Sequence, residues 1–243
     1  MPLSDAIYTR KAVRAFEYAP PDGDVLDGIR KFIIEEAKPL LPRIRFAYSI
    51  TDRIASASVK SPLHIAIYSE KAPGYLTNAG FIFEQVCLYM HQAGLGCCWV
   101  GMGKPDQKAV DGEEFVILIA FGTPKVPELA KRDVSEFNRK PLAMISDTAD
   151  KRFEPARLAP SAMNSQPWYF AARAGEPDCF DVYCKKAAFP MSVMVGSTNR
   201  IDIGIALSHL YAQYPESFAF ELPPEGAASP EKKGFIYIGK IKI

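Results

Sequence analysis

The sequence predicts an α+β fold, and three observations carry that expectation. Segments 77–93 and 198–214 read as long helices with apolar residues on nearly every face, the pattern of helices buried inside a core. Apolar runs at 43–50, 63–69, 114–122, 168–173 and 234–243 read as strands, with 180–184 as a hairpin partner of 168–173. The elements also recur in order. Asn78-Ala79-Gly80-Phe81-Ile82-Phe83 in the first long helix answers Asp202-Ile203-Gly204-Ile205-Ala206-Leu207 in the second. The run 115–122 answers 235–239 as a strand ending in glycine, and a helix at 24–37, followed by prolines and a strand, answers the shorter lead into Pro160. Two degenerate repeats are expected, 1–145 and a reduced copy at 146–243.

Composition narrows the function. The chain has 243 residues, 48% hydrophobic and 23% charged, enough to bury a sizeable core. A formal net charge of +1 gives no basic field for nucleic acid. Apolar runs such as 115–121 are too short to span a bilayer, so no membrane partner is expected. The opening Met-Pro-Leu-Ser-Asp lacks a secretory pattern. Five cysteines without CxxC spacing point to a reducing, cytoplasmic setting, and three scattered histidines suggest no metal cluster.

At the N-terminus Thr9 is placed to cap a short helical turn carrying Arg10, Lys11 and Arg14. On a helix Arg10 and Arg14 share a face, where two like charges repel unless an anion lies between them, and phosphate suits guanidinium forks. A solvated basic face is the plainer alternative. Pro20-Pro21-Asp22-Gly23 is a turn, Asp24 a helix cap, and Pro39 and Pro42 the end of that helix. Segment 54–60 carries no clear signal. Thr77 or Asn78 is placed to cap the first long helix and Gly94 to end it, with His91 complementing the dipole or facing solvent. The glycines of 94–103 follow a helix, so they make no dinucleotide fingerprint. They allow backbone to approach a flat ligand, or simply form a loop before a strand.

Residues 156–170 organise the chain. They read as a helix end, a break at Pro160, a polar turn with Ser161, Asn164, Ser165 and Gln166, then an aromatic strand. Pro167 is expected to hold Gln166 extended.

The string Ala159-Pro160-Ser161-x-x-Asn164-x-Gln166-Pro167-Trp168 resembles the signature of the nitroreductase family, the FMN-dependent reductases that work as dimers. Arg10, Lys11, Arg14 and Phe16 resemble that family's Arg-rich opening, which binds the FMN phosphate, with Ala12 in place of the usual serine. Gly94-Leu95-Gly96 and the following Trp99 and Gly101 resemble the segment whose backbone meets the flavin ring, with Gly101 or Met102 offering an N–H to N5. Arg139 and Lys140 resemble the basic segment that returns to the phosphate, and Pro160, Ser161 and Asn164 would reach the cofactor from the other side.

The resemblance implies a nitroreductase-like fold in which the two repeats mimic the family's dimer. The first repeat keeps the Arg-rich motif and the second keeps Pro-Ser-x-x-Asn, so fusing them completes one site, leaves its mirror dead and lets a monomer suffice. It implies FMN, with NADH or NADPH as hydride donor and a nitroaromatic, a quinone or a similar small molecule as acceptor. No catalytic side chain is required. A non-catalytic FMN-binding module or a relic without cofactor stands as the alternative, motivated by Ala12 and the truncated second repeat. Thiol redox at Cys97-Cys98 is disfavoured, since free cysteines pack as small hydrophobes.

Overall fold

Each of two antiparallel sheets packs on its own long helix, and the two helices pack on each other. The structure is a computed structural model that describes residues 2–187, 197–224, 226 and 229–243. The expected loop at 223–230 therefore falls partly outside the described residues.

The first part of the chain begins with α1 (Ser4–Ile7) and α2 (Gly23–Lys31). The helix expected to run to residue 37 widens after α2 into a π turn at Phe32–Glu36, closed by Ala37 N–H on Phe32 O at 2.8 Å. Strands β1 (Phe46–Thr51), β2 (Ile54–Ser56) and β3 (Leu63–Ser69) follow. Then comes α3 (Tyr75–Gln92). Its cap is Gly74 at φ +87°, not the side chain of Thr77 or Asn78, and Gly94 at φ +79° ends it as expected. Strands β4 (Gly96–Val100), β5 (Lys104–Pro105), β6 (Ala109–Val110) and β7 (Glu113–Gly122) complete this part. The sheet runs β1-β3-β7-β4, with β6 also on β7, and β2 pairs with β5 apart from it. Ile65↔Ile119 and Ile67↔Ile117 are cross-strand partners in its centre, which is why these strands read as unbroken apolar runs.

The second part holds α4 (Glu154–Leu158), β8 (Trp168–Arg173), β9 (Glu176–Lys185), α5 (Thr198–Gln213), β10 (Ala219–Glu221) and β11 (Phe235–Lys242). Its sheet runs β8-β9-β11-β10. The two sheets thus share one plan: two paired strands, a long helix, then two strands of which the later inserts beside the hairpin.

The helices α3 and α5 touch backbone to backbone. A Cβ on Gly80 would lie 2.1 Å from Ile201 O, and one on Gly204 would lie 2.0 Å from Thr77 O. Only glycine permits this approach. Around the crossing, Phe81, Phe83, Val86 and Leu207 are fully or almost fully buried. Burial of such side chains is worth about 1.5–3 kcal/mol each.

Candidate active site

Residues 10–16 do not form the expected helical turn. They run as an extended strap, with Lys11 N–H donating to Ala130 O and Val13 N–H to Cys97 O, both at 3.0 Å. Gly96 makes room for the strap, because a Cβ there would meet Val13 at 2.6 Å. An extended chain alternates its side chains, so Arg10, Ala12 and Arg14 share one side. All three line a cavity of about 270 Å³.

That cavity draws its wall from both parts of the chain. Cys98, Trp99, Gly101 and Met102 contribute from β4 and its end, and Pro160, Ser161, Ala162 and Met163 from the turn before β8. Thr198, Ile201, Asp202 and Ile205 close it from α5. Six of the sequence-selected residues meet here: Arg10, Arg14, Gly101, Met102, Pro160 and Ser161. The side chain of Lys11 does not line the cavity.

Arg139, Lys140 and Asn164 meet behind the turn instead. Arg139 Nη1 donates to Asn164 Oδ1 at 2.8 Å, and its Nε and Nη2 donate to Leu158 O. Asn164 Nδ2 donates to Asn138 O at 2.8 Å, and Lys140 Nζ to Ser165 O at 2.6 Å. These bonds brace a bent backbone: Met163, Asn164 and Gln166 have φ of 52°, 54° and 45°. Gln166 is therefore not extended as Pro167 suggested. Its side chain accepts from Lys140 N–H at 2.7 Å and its own N–H donates to Ser161 Oγ at 2.9 Å, contacts that outweigh the local preference. Three non-glycine residues with positive φ in four positions concentrate strain at the cavity wall.

Behind Arg10 lies a buried ionic cluster. Glu84, fully buried on α3, accepts from Trp99 Nε1 at 2.7 Å and stands 3.2 Å from His209 Nε2 and 3.7 Å from Arg10 Nε. His209 Nδ1 faces Pro155 O at 2.9 Å, so both ring nitrogens point at acceptors. Burial raises the Glu84 carboxyl, but Arg10, His209 and Trp99 outweigh it and hold the group below its usual range. Arg10 Nε and Nη2 are buried without a hydrogen-bond partner. Arg132 and Arg139 are each pushed down to about 10, by burial first and then by neighbouring cations including Arg10. Cationic groups are thus concentrated around the strap.

His91 is buried rather than exposed, with Nε2 3.0 Å from Thr9 Oγ1. Thr9 caps no helix; it holds this imidazole. All five cysteines are free.

Ser58, which also lines the cavity, and Asp202, Thr198, Glu84 and His209 were not among the residues that the sequence marked as site candidates. A carboxylate inside an otherwise apolar helix was the available signal for Glu84 and for Asp202. Ser58 came from a segment with none.

A mixed fold of two like-ordered sheets around crossed helices, with a cationic cavity between its two parts, defines the class. The "Putative TM nitroreductase" family model matches residues 2–213, and the chain belongs to that family. A putative nitroreductase of Thermotoga maritima matches in structure with a TM-score of 0.64 at 20% identity, covering 100% of this chain and 94% of that one. A nitroreductase family protein of Clostridium difficile 630 is 19% identical with a TM-score of 0.47, covering 59% of this chain and 95% of its own. An FMN-dependent nitroreductase of Clostridium difficile R20291 is 18% identical with a TM-score of 0.42, over 53% and 91%. No curated protein matches the chain in sequence. The fold is that of the nitroreductases, and the family makes the chain an oxidoreductase. Among the described residues no helix is long and apolar enough to cross a membrane.

Proposed function

We propose that this oxidoreductase uses FMN to pass electrons from NADH or NADPH to a small acceptor such as a nitroaromatic or a quinone. One observation carries the reading: the buried guanidinium of Arg10, whose Nε faces Glu84 at 3.7 Å and whose Nη2 has no hydrogen-bond partner, belongs to a cavity lined by both family motifs. Leaving a donor such as Nη2 unmet is costly, and an anionic ligand would satisfy it. The residues present therefore fit a phosphate-bearing, anionic cofactor.

When bound, FMN supplies the two-electron chemistry. Arg10 and Arg14 would offset its negative charge. Gly101 and Met102 would present backbone N–H groups to the ring. Ser161 Oγ accepts from Gln166 N–H and keeps its own O–H to donate. Arg139, Lys140 and Asn164 would act by holding the turn, and Lys11 by fixing the strap through its backbone.

The chain would also hold one cofactor, because its two parts stand in for the dimer of the family. The shared strand order and the reciprocal glycine crossing support this. The register that matches Gly80 with Gly204 also matches Phe81 with Ile205. Ile205 lines the cavity, whereas Phe81 stacks on Phe218 with ring centroids 5.7 Å apart. A Cβ on Gly74, the counterpart of Thr198, would meet Leu41 at 2.6 Å. Both contacts support a mirror-related position filled by side chains. A monomer in the cytoplasm suits such a chain and its free thiols.

Ala12, which lines the cavity where the family's motif carries a hydroxyl, favours the second reading, a flavin-binding module without turnover. The test is the visible spectrum of the chain after soaking with FMN and desalting, then anaerobic addition of NADH and NADPH. One flavin per chain, bleached by either donor, is expected. A bound but unbleached flavin favours the module, two flavins per chain overturn the filled mirror site, and none overturns the cofactor.

A further inference from the structure

Asp202 stands apart from the rest of the cavity wall. It is 3% exposed, and both its oxygens lie 3.1 Å from a single donor, Ala162 N–H. Within the described residues it enters no ion pair. A buried ionised carboxylate needs more than one N–H to offset its desolvation, whereas a neutral acid needs an acceptor for its O–H.

The internal comparison sharpens this. Asn78 on α3 is the counterpart of Asp202, and its Oδ1 accepts from Leu41 N–H at 2.8 Å. An amide therefore suffices to tether the loop. An acidic group in place of that amide is what Asp202 adds, and it lines the cavity.

We infer that Asp202 is a catalytic acid that delivers a proton to the acceptor as it is reduced in the cavity. The inference rests on the reading of the cavity as a flavin site. An acceptor that receives a hydride gains two electrons, one hydrogen and a negative charge. The O–H bond of Asp202 then breaks and a new O–H or N–H bond forms on the acceptor. The resulting carboxylate regains a proton from water.

The surroundings suit this role. Burial pushes Asp202 up to about 8, against the Ala162 hydrogen bond, and the Glu84 carboxylate on α3 acts in the same direction as burial. The Cys184 thiol on β9, itself pushed up to about 12 by burial, also feels Asp202. Arg200 lies on the same helix, and Arg10 and Arg14 face the cavity from the strap.

The test uses Asp202→Asn, the replacement that the Asn78 site already tolerates. Infrared difference spectra of wild type minus variant, without flavin, should show a protonated carboxyl band at pH 6–7 that fades near pH 8. With FMN and NADH, p-benzoquinone takes up a hydride and a proton, whereas ferricyanide takes up electrons alone. The variant should lose about 100-fold in quinone turnover, the lower range for a positioned acid, and keep its ferricyanide rate. Wild-type quinone turnover should decline above pH 8, and the variant's should not. A missing carboxyl band, an unchanged quinone rate, or equal losses with both acceptors would each overturn the role. A chain that binds no flavin but keeps the band instead removes the flavin reading and, with it, the proton step.

Discussion

Gly80 and Gly204 meet at the crossing of α3 and α5, each placed so that a Cβ would strike a backbone carbonyl of the other helix. A carbonyl of a buried helix cannot swing aside as a side-chain tip can. Gly80→Ala or Gly204→Ala must push the helices apart and open the core around Phe81 and Leu207. Overpacking of this kind costs about 3 kcal/mol, and the shift is expected in the midpoint of urea unfolding. Gly112→Ala serves as a comparison, since open space surrounds that site, and its cost should come from φ +84° alone.

Glu84 ties α3 to α5, β4 and the strap through His209, Trp99 and Arg10. Glu84→Gln leaves the buried Arg10 guanidinium without its carboxylate, a loss of about 3–5 kcal/mol. The pH dependence has a definite sign. Because the folded chain holds Glu84 below its ordinary 4.5, its stabilisation is present above that value and is lost as pH falls through the lower, folded value. Melting temperature against pH should therefore drop steeply in acid for wild type and less steeply for the variant.

His91 contributes in a different window. Burial first, then Arg10 and Lys131, push its imidazole down from 6.5 to about 4. Between those values the unfolded chain binds a proton at His91 that the folded chain refuses, so the His91 contribution to stability falls as pH drops from 6.5 toward 4, opposite in sign to that of Asp202. His91→Gln, which can still bond Thr9, should flatten that part of the curve. Titration of the His91 ring by NMR should show no protonation at pH 5.5.

The long helices and the apolar strands were legible because burial on every face writes a continuous hydrophobic run. The turn at 160–167 was legible as a motif but not as a shape: Gln166 takes φ 45° because its side chain and Lys140 hold it there, a tertiary effect that no local rule contains. The strap misread as a helix shows a second limit. A spacing of four puts Arg10 and Arg14 on one side of a helix and equally on one side of an extended chain. Val13 against Gly96 and Cys97 decided between them, and those contacts span more than eighty residues. Glu84 and His209 lie on two helices, and only the crossing at the glycines brings their side chains together.

Arg10 and Arg139 both lie in segments expected to meet a cofactor phosphate, and their surroundings point to different work. Arg10 lines the cavity with Nη2 lacking a hydrogen-bond partner and Nε 3.7 Å from Glu84, while the guanidinium nitrogens of Arg139 are bonded to Leu158 O, Asn138 O and Asn164 Oδ1. A cation that already has its acceptors gains little from a new anion. Arg10→Ala should therefore weaken FMN binding by at least 10-fold, since a charge-assisted hydrogen bond is worth about 1.5–3 kcal/mol, and the loss should shrink for riboflavin, which lacks the phosphate. Arg139→Ala should weaken FMN and riboflavin alike, through a loosened turn at Met163 and Asn164, and should speed amide exchange of that turn without ligand. Binding titrations with the two flavins distinguish these outcomes. Equal losses for both flavins in Arg10→Ala would mean that Arg10 shapes the cavity rather than meeting the phosphate.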